Sequence, residues 1–574
     1  MSPFAGRCCV RLAVVGAIVG SAIAFGSTAI AQVVPDATLG STVSGASGGV
    51  QTITGGTTRE TNLFHSFDRF SVPTNGTAFF DNAPNIQNIL TRVTGGSISD
   101  IDGLIRANGA ANLFLLNPNG IVFGQNARLD IGGSFVATTA SSINFADGTQ
   151  FSATPDTGAP LLTVSVPLGL QFGTGAGEIV NRASDEGLQV DTDRTLGLIG
   201  GNINLEGGRL TAAGGRVELG AVAALGVVGI SPDNSGFRFS FPSDLALGDI
   251  SLTDIAFVDV RAGGGGSIAV NARNLSITGG SQLTAGIRRN QGSVDAVAGD
   301  IDINVQDATT IDGVGQFPEG FLSSGIFNNV ETGSTGKGGN ININAGSLSL
   351  TNSGVISASV FGTGDAGNVY LSARDGVFLD RSTIFGTVEE TGKGNSGIID
   401  IKARSLTMAN GGQILANTFG QGDAGNVKLE IVDTATFTGL SEPDIRSGIF
   451  SNVNSNSTGK GGDITLNTGN LFLGDGAQIN TVSEGRGSAG NITIDVGDRI
   501  VIDGARTVQT AQGEQTFASG IFSELFSTTQ ELQSDRKAGD INIKARSLSL
   551  TQGAEIDSST SGQGNAGNIF VRAD

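Results

Sequence analysis

The sequence predicts an all-β chain, a right-handed parallel β-helix running through the whole mature protein. Three observations predict it. Ninety of the 574 residues are Gly, and at a cost of about 1 kcal/mol each in a helix interior they argue against a helical protein. Four 28-residue segments, starting at Gly339, Gly397, Gly462 and Gly539, align without a gap. Within each segment apolar side chains recur at a spacing of two, as at Ile341 and Ile343 or Leu348 and Leu350, which puts them on one face of a strand. The 12 prolines add too little to make the chain low-complexity, and no Gly-X-Y period indicates collagen.

At the amino terminus Arg7 and Arg11 lead into an apolar run from Leu12 to Phe25, which ends in Ala29-Ile30-Ala31. A charged head, a short apolar stretch and an A-x-A exit predict a secretory signal peptide over residues 1–31, leaving Gln32 first in the mature chain. The run is shorter than the ~20 residues of a membrane span, so no stable span is expected. Cys8 and Cys9 both precede it and leave with the signal. A mature chain without thiols must be stabilised by its core and its hydrogen-bond ladders. The formal charge of -20 repels phosphate backbones and argues against nucleic acid and anionic membranes as partners.

Residues 32–240 lack the 28-residue rhythm but are strand-like and glycine-rich. Two apolar stretches, Leu113 to Leu116 and Ile121 to Phe123, flank Asn117-Pro118-Asn119-Gly120. Asn first, Pro second and Gly fourth suit a type I turn.

Residues 241–574 form the repeat region. Fixed arms of 28 residues alternate with second arms that start at Gly299, Gly367, Gly425 and Gly490 and run 30–49 residues. Three short strands separated by glycines make one turn of a coil, and stacked coils bury a core that no coil could bury alone. The extra length of the variable arms is expected in one place, before a recurring Ser-Gly-Ile-Phe at 324–327, 447–450 and 519–522. Insertions at one register of a solenoid emerge on one side. The segments Val314 to Leu322, Leu440 to Arg446 and Ala505 to Ala518 are therefore candidate contact loops, against the plainer reading of tolerated surface loops. The chain stops at Gly567 to Asp574, one strand into a further arm and without a cap, as expected of a truncated member or a fragment.

Several motifs imitate chemistry. Gly362 to Gly367, Gly420 to Gly425, Gly485 to Gly490 and Gly562 to Gly567 each match G-x-G-x-x-G, but a dinucleotide site needs a helix to follow. Here strands follow, such as Asn368-Val369-Tyr370-Leu371, so these are read as turns between coils and no cofactor is expected. The Asn or Asp at 340, 368, 426, 463, 491, 540 and 568 suits either a left-handed backbone position or a stacked amide ladder. Thr335-Gly336-Lys337-Gly338 and Thr458-Gly459-Lys460-Gly461 lack the Ser or Thr of a phosphate loop. The Gly-x-Gly-Asp turns lack the tandem nine-residue period of calcium-binding repeats. His65 is the one histidine, so neither a histidine metal cluster nor a thiol site is expected. No catalytic residue is assigned; the enzyme alternative is a β-helical polysaccharide-processing enzyme working through carboxylates. The dipeptide Asp-Asp and the tripeptide Gly-His-Gly of such enzymes are both absent.

The amino-terminal region resembles the secretion domain of filamentous haemagglutinin-like exoproteins of two-partner secretion systems. The residues that carry the resemblance are Asn62-Leu63-Phe64-His65-Ser66-Phe67, Asn117 to Ile121, Leu129 to Phe135 with Ala137 to Ala140, and Gly200 to Ile203 through Gly214 to Leu219. The family's other signature, Asn-Pro-Asn-Leu, is absent; near its place stands Asn82-Ala83-Pro84-Asn85-Ile86. The resemblance implies a β-helical domain recognised by the periplasmic domains of a dedicated outer-membrane pore, with the exoprotein folding outside. It implies a secreted or surface-bound adhesin of a double-membrane bacterium, with a cell-surface or glycan receptor. On the same resemblance Asn117, Pro118, Asn119, Gly120 and Ile121 maintain a turn that shapes the recognised surface.

Overall fold

The computed structural model describes residues 32–573 except 155–161, 234–235, 318–319, 442–443, 511–512 and 527–534. The signal peptide expected over residues 1–31 lies outside the described residues. All regular elements among the described residues are strands, most of them paired in parallel.

From residue 250 onward the chain winds through three strand positions per coil. The first and second belong to one large sheet and the third to a 12-stranded sheet. Ile301 pairs with Ile341, Ile341 with Val369, Val369 with Ile399, Ile399 with Val427, and Val427 with Ile464. Ile464, Ile492, Ile541 and Ile569 continue the column. Fixed and variable arms are thus each one complete coil, stacked in alternation. From Ile301 to Ile541 every member of that column is at most 1% exposed, and burying one such side chain stabilises by about 1.5–3 kcal/mol. In Val369–Asp380, Ile399–Ala409 and Val427–Thr438 one strand supplies both of the first two positions, with a register shift at the bend.

The first coil strand, Asn62–Phe70, pairs in parallel with Asn88–Val93 on one edge. Its other edge is closed by antiparallel Val33–Pro35 and Thr57–Arg59. An unpaired edge would offer free N–H and C=O groups to any passing strand, so these two segments act as a cap.

The all-β reading holds, and beside the parallel coils stands a sheet of another kind. Gln150–Ser152, Ser142–Phe145, Pro167–Phe172, Gly226–Asp233 and Gly236–Ser240 form a separate antiparallel sheet. It builds a second core in which Phe145, Phe151, Phe172, Phe237 and Phe239 meet Phe114, Leu116, Val136 and Ile199. Leu113 and Leu115 belong instead to the solenoid interior. The run Leu113 to Leu116 is apolar throughout because its strand is buried on both faces.

Candidate functional site

Two regions hold the functional candidates. The first is the turn after Asn112–Leu116. Gly120 N–H donates to the Asn117 carbonyl at 3.2 Å, closing a four-residue turn with Pro118 second. Asn117 is fully buried. Its amide nitrogen donates to Ser97 O and Ser99 Oγ, both at 3.0 Å, on the coil before. Its Oδ1 accepts from Asn119 N–H at 3.0 Å, so one side chain binds the turn and pins it to its neighbour. Asn119 is exposed and donates to Gly95 O at 2.8 Å. Pro118 O accepts from Gly177 N–H on the coil above, and Ile121 fills the core. The segment at 82–86 has its own turn, closed by Ile86 N–H to Ala83 O at 3.1 Å. There the buried Asn precedes the turn: Asn82 exchanges hydrogen bonds with the Asn108 backbone.

A buried polar line ties this region together. Asn88 donates to Asn62 and Asn112 to Asn88, each at 3.0 Å, while Ser134 N–H donates to Asn112. Asn62 reaches Ser165 O, beside the antiparallel sheet. Arg92, fully buried, donates to Ser66 Oγ and Ser152 O and lies 4.9 Å from the Phe151 ring centre. Arg216 and Glu218 form a buried ion pair; burial pushes the Glu218 carboxyl up against the pull of Arg216. His65 is 1% exposed, accepts or donates one bond with Ser41 Oγ at 3.0 Å, and burial lowers its pKa to about 4. It is a neutral core ring, packed against Phe67 and Phe80.

The second region is a row of hairpins. Val314–Phe317 pairs antiparallel with Gly320–Ser323, Leu440–Ser441 with Ile445–Arg446 and Ala505–Thr510 with Gly513–Ala518, all at the turn between the second and third strand positions. All three use one anchor. A glycine with φ of 76–79°, at Gly313, Gly439 or Gly504, opens the hairpin, a backbone state glycine adopts at little cost. Its carbonyl accepts the N–H of Ser324, Ser447 or Ser519, all at 3.0 Å. The serine Oγ accepts from Gly280, Gly411 or Gly476 N–H on the preceding coil, at 2.9 Å in every case. A glutamine of that coil, Gln282, Gln413 or Gln478, donates at 3.0 Å to the carbonyl just before the serine. The variable arm without a hairpin, which starts at Gly367, has Arg381 in place of the opening glycine, itself at φ 48°. The surplus of the longest arm is not all in one place: from the serine of Ser-Gly-Ile-Phe to the glycine that starts the next fixed arm is 15 residues for Ser324 to Gly339 and Ser447 to Gly462 but 20 for Ser519 to Gly539. That further stretch contains residues 527–534, which are outside the described set.

The turns that imitate a nucleotide site are coil corners, each leading into a strand such as Val369–Asp380. A Cβ on Gly364 would stand 1.9 Å from Gly336 O and one on Gly367 1.8 Å from Gly339 O. Glycine is there because backbones of successive coils touch. Of the two readings for the Asn and Asp after these turns, the ladder is correct. None of the seven has positive φ. Asn340 Oδ1 accepts from both Asn368 nitrogens at 3.0 Å, Asp463 Oδ1 from those of Asn491, and Asp540 Oδ1 from those of Asn568. Among the described residues no group of three or more His, Cys, Asp or Glu is placed to hold a metal, and no helix is long and apolar enough to cross a membrane. The serine anchors and the antiparallel sheet escaped the sequence reading, although the repeated Ser-Gly-Ile-Phe was the visible trace of the first.

Compared with known proteins, residues 31–270 match the family model of the TPS secretion domain. No curated protein matches the chain. Among solved structures it is similar to the HMW1 secretion domain from Haemophilus influenzae, at 15% identity and a TM-score of 0.34, over 94% of this chain and 99% of that one.

Proposed function

We infer from the TPS secretion domain at residues 31–270, which marks this chain as a two-partner secretion exoprotein, that it is an adhesin carried on a β-helical stalk. A protein of this kind is secreted through a transporter partner in the outer membrane. The finer reading is that periplasmic domains of that transporter recognise the amino-terminal domain, shaped by Asn117 to Ile121, and that the product remains at the outer cell surface. The role is binding, with the three hairpins as its contact face. The observation that carries the export reading is the family match; the hairpins, rooted by one repeated anchor on one side of the stack, support the contact reading.

Deleting residues 32–240 tests export: release of the mature chain is expected to stop, and normal release would refute the reading. Shortening all three hairpins to the form at Asp380 to Thr383 tests contact. Surface attachment is expected to fall while secretion continues; unchanged attachment would remove the hairpins from the binding role.

A further inference from the structure

A second surface lies at a different corner of the coil, where the first strand position bends into the second. Two adjoining depressions meet there, one lined by Asn342, Tyr370 and Asp400 among others, the other by Glu430, Asn467 and Asp495, and Ser372 and Lys402 line both. The result is a continuous open groove crossing the coils that begin at Ile341, Val369, Ile399, Val427, Ile464 and Ile492. Its wall is a register column: Ser372 pairs with Lys402, Lys402 with Glu430, Glu430 with Asn467 and Asn467 with Asp495. Each coil therefore presents one hydrogen-bonding side chain about 4.8 Å beyond the last. Gly497 leaves the far end without a side chain.

Three features define the occupant. The row repeats by translation, so it fits a ligand that repeats by translation, and its step is close to the advance of one pyranose unit in an extended chain. The cations of the groove are already matched by carboxylates: Lys402 and Lys428 meet Glu430 at 3.1 and 2.5 Å and Asp400 also acts on Lys428, while Arg404 meets Asp433 at 3.6 Å and Arg374 meets Asp375 at 3.5 Å. No net charge remains to select an anion. Tyr370, the one tyrosine of the chain, is 41% exposed at the groove's edge and offers a ring face beside a polar hydroxyl.

We propose that this groove binds a neutral linear polysaccharide, lying along the stack axis with a sugar ring on Tyr370. It binds without cleaving. Glycoside hydrolysis needs a carboxylic acid held protonated near neutral pH, whereas Glu430 is engaged by the ammonium groups of Lys428 and Lys402, which hold it below its ordinary range, and Asp495 is engaged by Lys544 at 3.2 Å. The proposal is independent of the hairpin face, which occupies another corner.

The test is affinity electrophoresis and titration calorimetry of the mature chain with four soluble probes: mixed-linkage β-glucan, hydroxyethyl cellulose, mannan and polygalacturonate. Expected are retardation by at least one neutral probe, no rise in reducing ends, and a Kd weakened about tenfold, or 1.4 kcal/mol, by Tyr370→Ala and by the Lys402→Ala/Asn467→Ala pair. Circular dichroism melting of each variant is expected to match the parent, and the hairpin-shortened variant should bind as the parent does. Failure of every neutral probe, retardation by polygalacturonate alone, release of reducing ends, or unchanged affinity in the folded Tyr370 and Lys402/Asn467 variants would each overturn the proposal. Loss of binding only when the hairpins are cut would move the site to that face and also overturn it.

Discussion

The Arg446 guanidinium lies 5.0 Å from the ring centre of Phe517, joining the hairpin of residues 440–446 to that of residues 505–518 two coils further on. The same guanidinium is 5.8 Å from Phe450 and donates to Gln478 Oε1 at 2.7 Å. One side chain thus holds two hairpins and the coil between them. A cation over an aromatic face contributes about 0.5–2 kcal/mol, more as water is excluded. In a double-mutant cycle of Arg446→Ala and Phe517→Ala, a coupling of about 1 kcal/mol is expected from urea unfolding, together with faster proteolysis of both hairpins in either single variant.

Ser447→Ala removes the acceptor of the buried Gly411 N–H and the donor to Thr438 O. An unmade buried bond costs about 1–3 kcal/mol. Hydrogen exchange at Gly411 should speed up accordingly while amides of the Ile399–Ala409 strand keep their protection. In the hairpin-free variable arm Ser382 Oγ only donates, to Leu350 O at 2.9 Å, so Ser382→Ala should cost less.

Asn117→Asp keeps the shape of the side chain but turns its donating nitrogen into an oxygen facing Ser97 O. A loss of about 1–3 kcal/mol is expected, because one oxygen of the buried carboxylate then faces an acceptor while the other keeps the Asn119 N–H, with release from cells reduced in proportion. Asn119→Ala removes an exposed bond to Gly95 O and a second one to Asn117 Oδ1, which keeps the Asn119 backbone N–H as a donor, and should cost no more than about 1 kcal/mol. If Asn119→Ala nevertheless blocks release of a normally folded chain, the turn is a contact for the transporter and not only a brace.

His65 gives the fold an acid-sensitive element. Its pKa is about 4 when folded against 6.5 when free, so between those values the unfolded chain binds the extra proton. Stability contributed by the neutral ring is complete above pH 6.5 and declines as pH falls toward 4, by roughly 3 kcal/mol in all. The urea midpoint followed from pH 7.5 to 4 should fall in that window, and a His65→Gln variant should show a flatter profile there.

The repeat region was legible because its signals are local. Ile341 and Ile343 lie two apart on one strand, and their counterparts at Ile399 and Ile401 or Ile541 and Ile543 recur in gapless segments, so period and face could be read directly. What could not be read depends on a neighbour distant in sequence. Ser447 repeats visibly in Ser-Gly-Ile-Phe, but its partner Gly411 belongs to the coil before, and nothing in either segment links them. The amides at 340, 368 and 491 allow two readings because Asn suits both; only the backbone angles separate them. Phe114 and Leu116 read as plain strand residues, since an apolar run does not reveal that its outer side meets Phe237 and Phe172 across a second core.

The anchor that roots each hairpin has a practical corollary. Its side chains are a closing serine and a glutamine on the coil below; the segment it holds contributes only its last backbone carbonyl, which any residue supplies. Between Gly439 and Ser447, or Gly504 and Ser519, the intervening sequence is a replaceable cassette, and its length can change without shifting the register of any strand in the stack. A lineage could exchange what this face displays by swapping such cassettes, and an engineer could graft an epitope there, provided that Arg446 is kept where it ties the second hairpin to Gln478 and Phe517.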